Sequence, residues 1–71
     1  MPRRYALGKR AEDQAATRAR IVRATLAIFR DQGSRAATTP VIARAADVSS
    51  GTVRNHFPDR ADLDRAVADL I

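Results

Sequence analysis

Apolar positions recur along this chain at helical rather than alternating spacing, and they fall into four stretches. In the first, Ile21, Ala24, Thr25 and Ile28 form one stripe, which Val22, Leu26 and Phe29 widen. That pattern predicts a long amphipathic helix from about Asp13 to Gln32. Gly33 supplies its stop, and Ser34 to Ala37 form a short connection. Next, Ile42, Ala43, Ala46 and Val48 put an apolar face on a short helix and on the turn leaving it, while Val53 and Phe57 lie one helical turn apart on another. Ala43 is small, as a close crossing of two helices requires. Leu63, Val67 and Leu70 mark a fourth helix that reaches the chain end without a stop signal, as if cut short or awaiting a partner. The fold class is therefore all-α: a small helical bundle of one long helix, a helix-turn-helix pair and the start of a fourth helix.

Polar residues mark the boundaries. Thr38 or Thr39 can cap the first short helix, with Pro40 suited to its first turn, where a missing N–H costs nothing. Ser49 can cap the second, Pro58 and Asp59 stop it, and Asp59 can cap the fourth helix. Asp47 falls at the turn, where a left-handed residue is often needed. Gly adopts that conformation freely, and Asp at modest cost.

Seventy-one residues make one small domain, and with no cysteine it has neither a disulfide nor a thiolate metal site. Fifteen of the residues counted as hydrophobic are Ala, so the large apolar side chains, Val41 included, suffice for a compact three- or four-helix core.

Charge is unevenly spread. Residues 1–60 hold twelve of the thirteen basic groups and five of the eight acids, a balance of +7, whereas residues 61–71 stand at −2, with one base and three acids. An arginine-dominated segment suits a polyanion. No apolar run approaches the ~20 residues needed to span a bilayer, and the start of the chain does not resemble a signal peptide. A cytoplasmic location and no membrane partner are the expectation.

Residues 1–12 carry Arg3, Arg4, Lys9 and Arg10 with little to fold around, and they read as a flexible basic arm preceding a domain over residues 13–71. Two roles fit such an arm: touching DNA backbone or minor groove, or acting as a solubilising leader.

The tract from Thr38 to Phe57 is the most informative, because two short helices joined by a turn point to duplex DNA. If Val53 and Phe57 face the core, Gly51 and Asn55 lie on the opposite side, flanked by Thr52 and Arg54. Ser50 and Gly51 then present free backbone N–H groups to phosphate, and Gly51 lets the backbone come close. Thr52 can bond a phosphate or touch a thymine methyl. Arg54 can pair with guanine, or contact phosphate instead, and Asn55 can pair with adenine.

Catalysis has no constellation here. His56 is the single histidine, and it has neither a cysteine nor a Ser and Asp in triad arrangement to act with; it reads as a phosphate contact or as a plain exposed or capping residue. Asp62, Asp64 and Asp69 read as a solvated face and a favourable charge near a helix start. No enzyme activity, cofactor or metal is expected.

Taken in order, RARIVRATLAIFRDQG, TTPVIARAADVS, SGTVRNHF and DRADL resemble the N-terminal DNA-binding domain of the tetracycline-repressor (TetR-like) family, over roughly residues 14–71. The resemblance implies a bacterial, nucleoid-associated transcriptional regulator, usually a repressor. Such a protein binds a palindromic operator as a homodimer and releases it when a small-molecule inducer enters a separate C-terminal domain, which is absent from these residues. It further implies that Thr39, His56 and Arg60 bind phosphate beside the groove. The chain departs from the family pattern at Asp47, usually Gly, at Arg54, usually Tyr, and at Pro40, often a longer polar or basic residue that can reach a base. A different class of function also fits the basic face: a helical interaction module that binds an acidic protein partner and uses the helix-turn-helix only as scaffold.

Overall fold

The computed structural model describes residues 2–71, with side chains described from Asp13 onward. Four helices follow one another: α1 (Pro2–Gln32), α2 (Thr39–Ala46), α3 (Ser50–His56) and α4 (Arg60–Leu70), with a single 3-10 turn over Ser34–Ala36 between the first two. Among the described residues there is no strand. α1 packs against α2 and α4, and α2 packs against α3, so the long helix is the frame on which the helix-turn-helix pair is mounted.

The periodic stripe of α1 lies where its spacing puts it. Ile21, Val22, Thr25 and Ile28 are buried and meet Ile42, Ala43 and Ala46 of α2, Val53 and Phe57 of the α3 segment, and Leu63 and Val67 of α4 in one core. Among the described residues Thr25 is the one buried polar member, and its hydroxyl donates to the Ile21 carbonyl at 2.8 Å, so it is not stranded. Fully burying a side chain such as Ile21 or Ile42 stabilises the fold by about 1.5–3 kcal/mol. Val41 departs from expectation. It sits on the outer face of α2 with 39% of its surface exposed, one residue out of phase with Ile42.

α1 also starts at Pro2 rather than near Asp13. Periodicity gives no signal over residues 2–12, but Ala, Leu, Arg, Lys and Glu are strong helix formers, and Pro is tolerated in a first turn. The backbone of the expected arm thus belongs to the first helix. The contacts expected of Arg3, Arg4, Lys9 and Arg10 lie outside the described side chains.

The boundaries fall at the marked residues, with differences in how they are made. Gly33 has φ 89°, its N–H donates to Phe29 at 3.0 Å, and it leads directly into the 3-10 turn. Thr38 occupies the N-cap position of α2 and Asp59 that of α4, but neither side chain bonds to its helix. Their caps are backbone ones: the Thr38 carbonyl accepts from Ile42 at 2.9 Å and that of Asp59 from Asp62 at 3.1 Å. At the far end Leu70 and Ile71 are exposed.

Candidate nucleic-acid interface

The turn between α2 and α3 is made by Asp47, the one non-glycine residue with positive φ among those described (φ 60°, ψ 48°). Its N–H donates to the Arg44 carbonyl at 3.2 Å, and the N–H of Val48 reaches back to Ala43 at 2.9 Å. Those two bonds make a Schellman closure, in which a left-handed residue lets the last turn of a helix satisfy its own carbonyls. Val48 then packs against the core. Two residues on, the Ser49 hydroxyl accepts from the Thr52 N–H at 3.1 Å, capping α3 as expected, and it also bonds the Thr52 hydroxyl at 2.9 Å. Thr52 is half-buried, and its side chain takes part in the cap.

Once Val53 and Phe57 are buried, the seven residues of α3 have one orientation available. Gly51, Arg54 and Asn55 are exposed, while Ser50, Thr52 and His56 are half-buried. Among the described residues, neither Arg54 nor Asn55 has a side-chain hydrogen bond or ion pair within the protein, although Arg20 bonds the Ala46 carbonyl and Arg60 bonds Asp64. A Cβ added to Gly51 would meet nothing nearer than the Ser49 hydroxyl, at 3.8 Å. Nothing inside the fold requires glycine there.

The expected site residues that line a concavity fall in two places. Thr39, half-buried at the start of α2, shares with Arg54 and Arg60 a concavity of about 230 Å³, in which Ile42, Val53 and Phe57 also take part. Pro40 is exposed in the first turn of α2 beside it. His56 lies elsewhere, in a second concavity with Arg18 and Arg65 but also with Asp62 and Asp69, whose carboxylates offset the cations.

Arg60 stays partly exposed, yet its guanidinium bonds back to its own chain. Its Nε donates to Asp64 at 2.9 Å, and its terminal nitrogens donate to the carbonyls of Ala37 at 2.7 Å and Ser34 at 3.3 Å. Three of the five N–H groups of the guanidinium are therefore engaged within the protein. Arg20 was not apparent from sequence: it reaches from α1 to donate to the Ala46 carbonyl at 2.6 Å. Its partner is a main-chain oxygen twenty-six positions away, which no side-chain pattern announces.

Among the described residues no group of His, Asp or Glu is arranged to hold a metal ion, and no helix is long and apolar enough to cross a membrane. No curated protein and no solved structure matches the chain. The family model of bacterial regulatory proteins of the tetR family does match, over residues 21–67, from the buried stripe of α1 through the helix-turn-helix pair to the last buried residue of α4. With α3 so oriented and that match spanning most of the chain, the protein belongs to the tetR family of DNA-binding regulators, and residues 21–67 are its DNA-binding domain.

Proposed function

We propose that this chain reads one particular duplex sequence by laying α3 in the major groove, and that it serves as the operator-binding head of a repressor. The observation that carries the reading is the exposed triad of Gly51, Arg54 and Asn55, set opposite buried Val53 and Phe57, with two polar side chains that have no partner among the described residues. Arg54 pairs with guanine through its two-pronged donor edge, and Asn55 pairs with adenine. The backbone at Ser50 and Gly51 approaches a phosphate, which the open space at Gly51 supports. Thr39 and His56 bind phosphates on either side, and Thr52 helps position the start of α3 through its bond to Ser49. Pro40 fixes the first turn of α2 and leaves that position without a polar base contact.

The operator is palindromic and is bound by a homodimer joined through a C-terminal domain, where a small-molecule inducer acts. The setting is the bacterial cytoplasm, at the nucleoid. A head without that joining domain binds weakly, because two half-sites held at fixed spacing contribute avidity.

Selection from a random duplex library at moderate salt tests the reading. The expected result is one enriched half-site, with log affinity falling against log salt by about 0.9 for each of roughly four to six neutralised phosphates. A library that emerges without any preferred sequence would overturn it.

A further inference from the structure

Guanidinium groups from other helices hold the C-terminal end of α2 and the connection that leads into it. At its C-terminal end Arg20 of α1 donates to the Ala46 carbonyl at 2.6 Å and reaches the Asp47 carbonyl at 3.5 Å. Before its N-terminal end Arg60 of α4 donates to Ala37, two residues ahead of α2, at 2.7 Å and to Ser34 of the 3-10 turn at 3.3 Å, with its Nε fixed by Asp64 and its guanidinium 5.8 Å from the centre of the Phe29 ring. Among the described residues no other donor reaches the Ala46 or Ala37 carbonyl.

Such support matters for this helix in particular. It has eight residues, too few to persist on its own, and Thr38 contributes no side-chain cap. The carbonyls at the end of a helix lack intrahelical partners, and a charged donor satisfies them more strongly than a neutral one. Both bonds are partly buried, where they are less screened by solvent. A lysine could not reproduce the contacts of Arg60, whose three nitrogens each meet a different acceptor, since it lacks the rigid fork; Arg20 uses one terminal nitrogen alone.

We infer that Arg20 and Arg60 are a matched pair of positioning residues for DNA reading. Arg20 pins the C-terminal end of α2 to α1 and Arg60 ties the connection entering α2 to α4, and through the Asp47 turn they set the angle at which α3 is presented. The inference rests on the reading of α3 as the DNA-contacting helix. On this account Arg60 acts through Ala37 and Ser34, and a phosphate contact is the competing role that the experiment separates.

The test compares Arg20→Ala and Arg60→Ala with the parent chain, and includes Arg20→Lys and Arg60→Lys in case an alanine variant does not fold. Two readouts are taken: backbone amide NMR signals, and affinity for the selected half-site across a salt series. The expected result is displaced amide signals at residues 45–52 for the Arg20 variants and at 36–40 for the Arg60 variants. Specific affinity should fall about tenfold or more, as loss of a charged hydrogen bond implies, with the salt slope unchanged. Lysine should recover little of the loss at position 60, where the guanidinium spans several acceptors, and more of it at position 20.

A salt slope shallower by about 0.9 would make the arginine concerned a phosphate contact and overturn its positioning role. Unchanged amide signals with unchanged affinity would overturn it as well. If the parent chain selects no sequence, the operator reading fails by itself. The amide signals still decide the clamp: displacement supports it and its absence overturns it.

Discussion

The guanidinium carbon of Arg18 stands 4.4 Å from the centre of the Phe57 ring, so a cation carried by α1 covers the residue that closes α3. Phe57 is 5% exposed, and its ring face is electron-rich, which makes the stacked arginine both an electrostatic partner and an apolar lid. Arg18→Ala removes both contributions. The unfolding free energy should drop by about 1 kcal/mol, or a melting temperature lower by about 4–8 °C in a domain of this size. Arg18→Lys should recover part of the loss. An unchanged midpoint in a urea titration of Arg18→Ala would remove the stack from the account of stability.

Asp47 allows a prediction of opposite sign. A left-handed residue is required where it stands, and a side chain there carries a steric cost that glycine avoids. Its carboxylate lies 3.9 Å from Arg20 but is almost wholly in solvent, where an ion pair contributes little. Asp47→Gly should therefore stabilise the domain, by about 0.5–1 kcal/mol, and leave its preferred DNA sequence as it was. Asp47→Val should destabilise it, because a β-branched residue tolerates this conformation poorly. Denaturant titration of the two variants checks both signs, and a less stable Asp47→Gly protein would mean that the carboxylate matters more than the backbone.

Spacing alone gave the parts of the fold that depend on spacing. Ile21, Thr25 and Ile28 face inward because they share a stripe, and Gly51 and Asn55 face outward because Val53 and Phe57, one turn apart, do not. Composition in place of period governs residues 2–12, so the start of α1 left no apolar stripe to read. The partners of Arg18, Arg20 and Arg60 were illegible for another reason. A long cationic side chain chooses among rings, carboxylates and main-chain carbonyls that come together only after the helices pack, and two of these three arginines chose carbonyls. The same holds for Thr52, which a helical projection puts beside the outward face of α3 yet whose hydroxyl bonds Ser49 in the folded chain.

Gly51 separates stability from function. A methyl group at this position has open space, so Gly51→Ala should leave the fold as stable as before or raise its stability by up to about 1 kcal/mol through helix propensity. If the backbone lies against a phosphate when DNA is bound, the same methyl group should lower affinity for every sequence about equally. Thermal unfolding and half-site affinity, measured on the one variant, should thus move in different directions. Equal affinity for parent and variant would show that the backbone at Gly51 does not approach DNA closely.

Arg54 separates recognition from mere attraction. It is exposed and has no partner among the described residues, so Arg54→Ala should change stability by no more than about 0.5 kcal/mol. What it does to binding depends on the atom it touches. A bidentate pair with guanine predicts loss of about 1–3 kcal/mol of discrimination at one base position, with the other positions read as before. A phosphate contact predicts uniform weakening and a salt slope shallower by about 0.9. The first outcome is expected, and Arg54→Tyr, which restores the residue usual in the family, should move the preference at that same position. Asn55→Ala should relax a neighbouring position while leaving the first intact, because the two side chains leave α3 from adjacent residues. Library selection on the three variants would assign one base position to each side chain, and a uniform loss across all sequences would place Arg54 on the backbone instead.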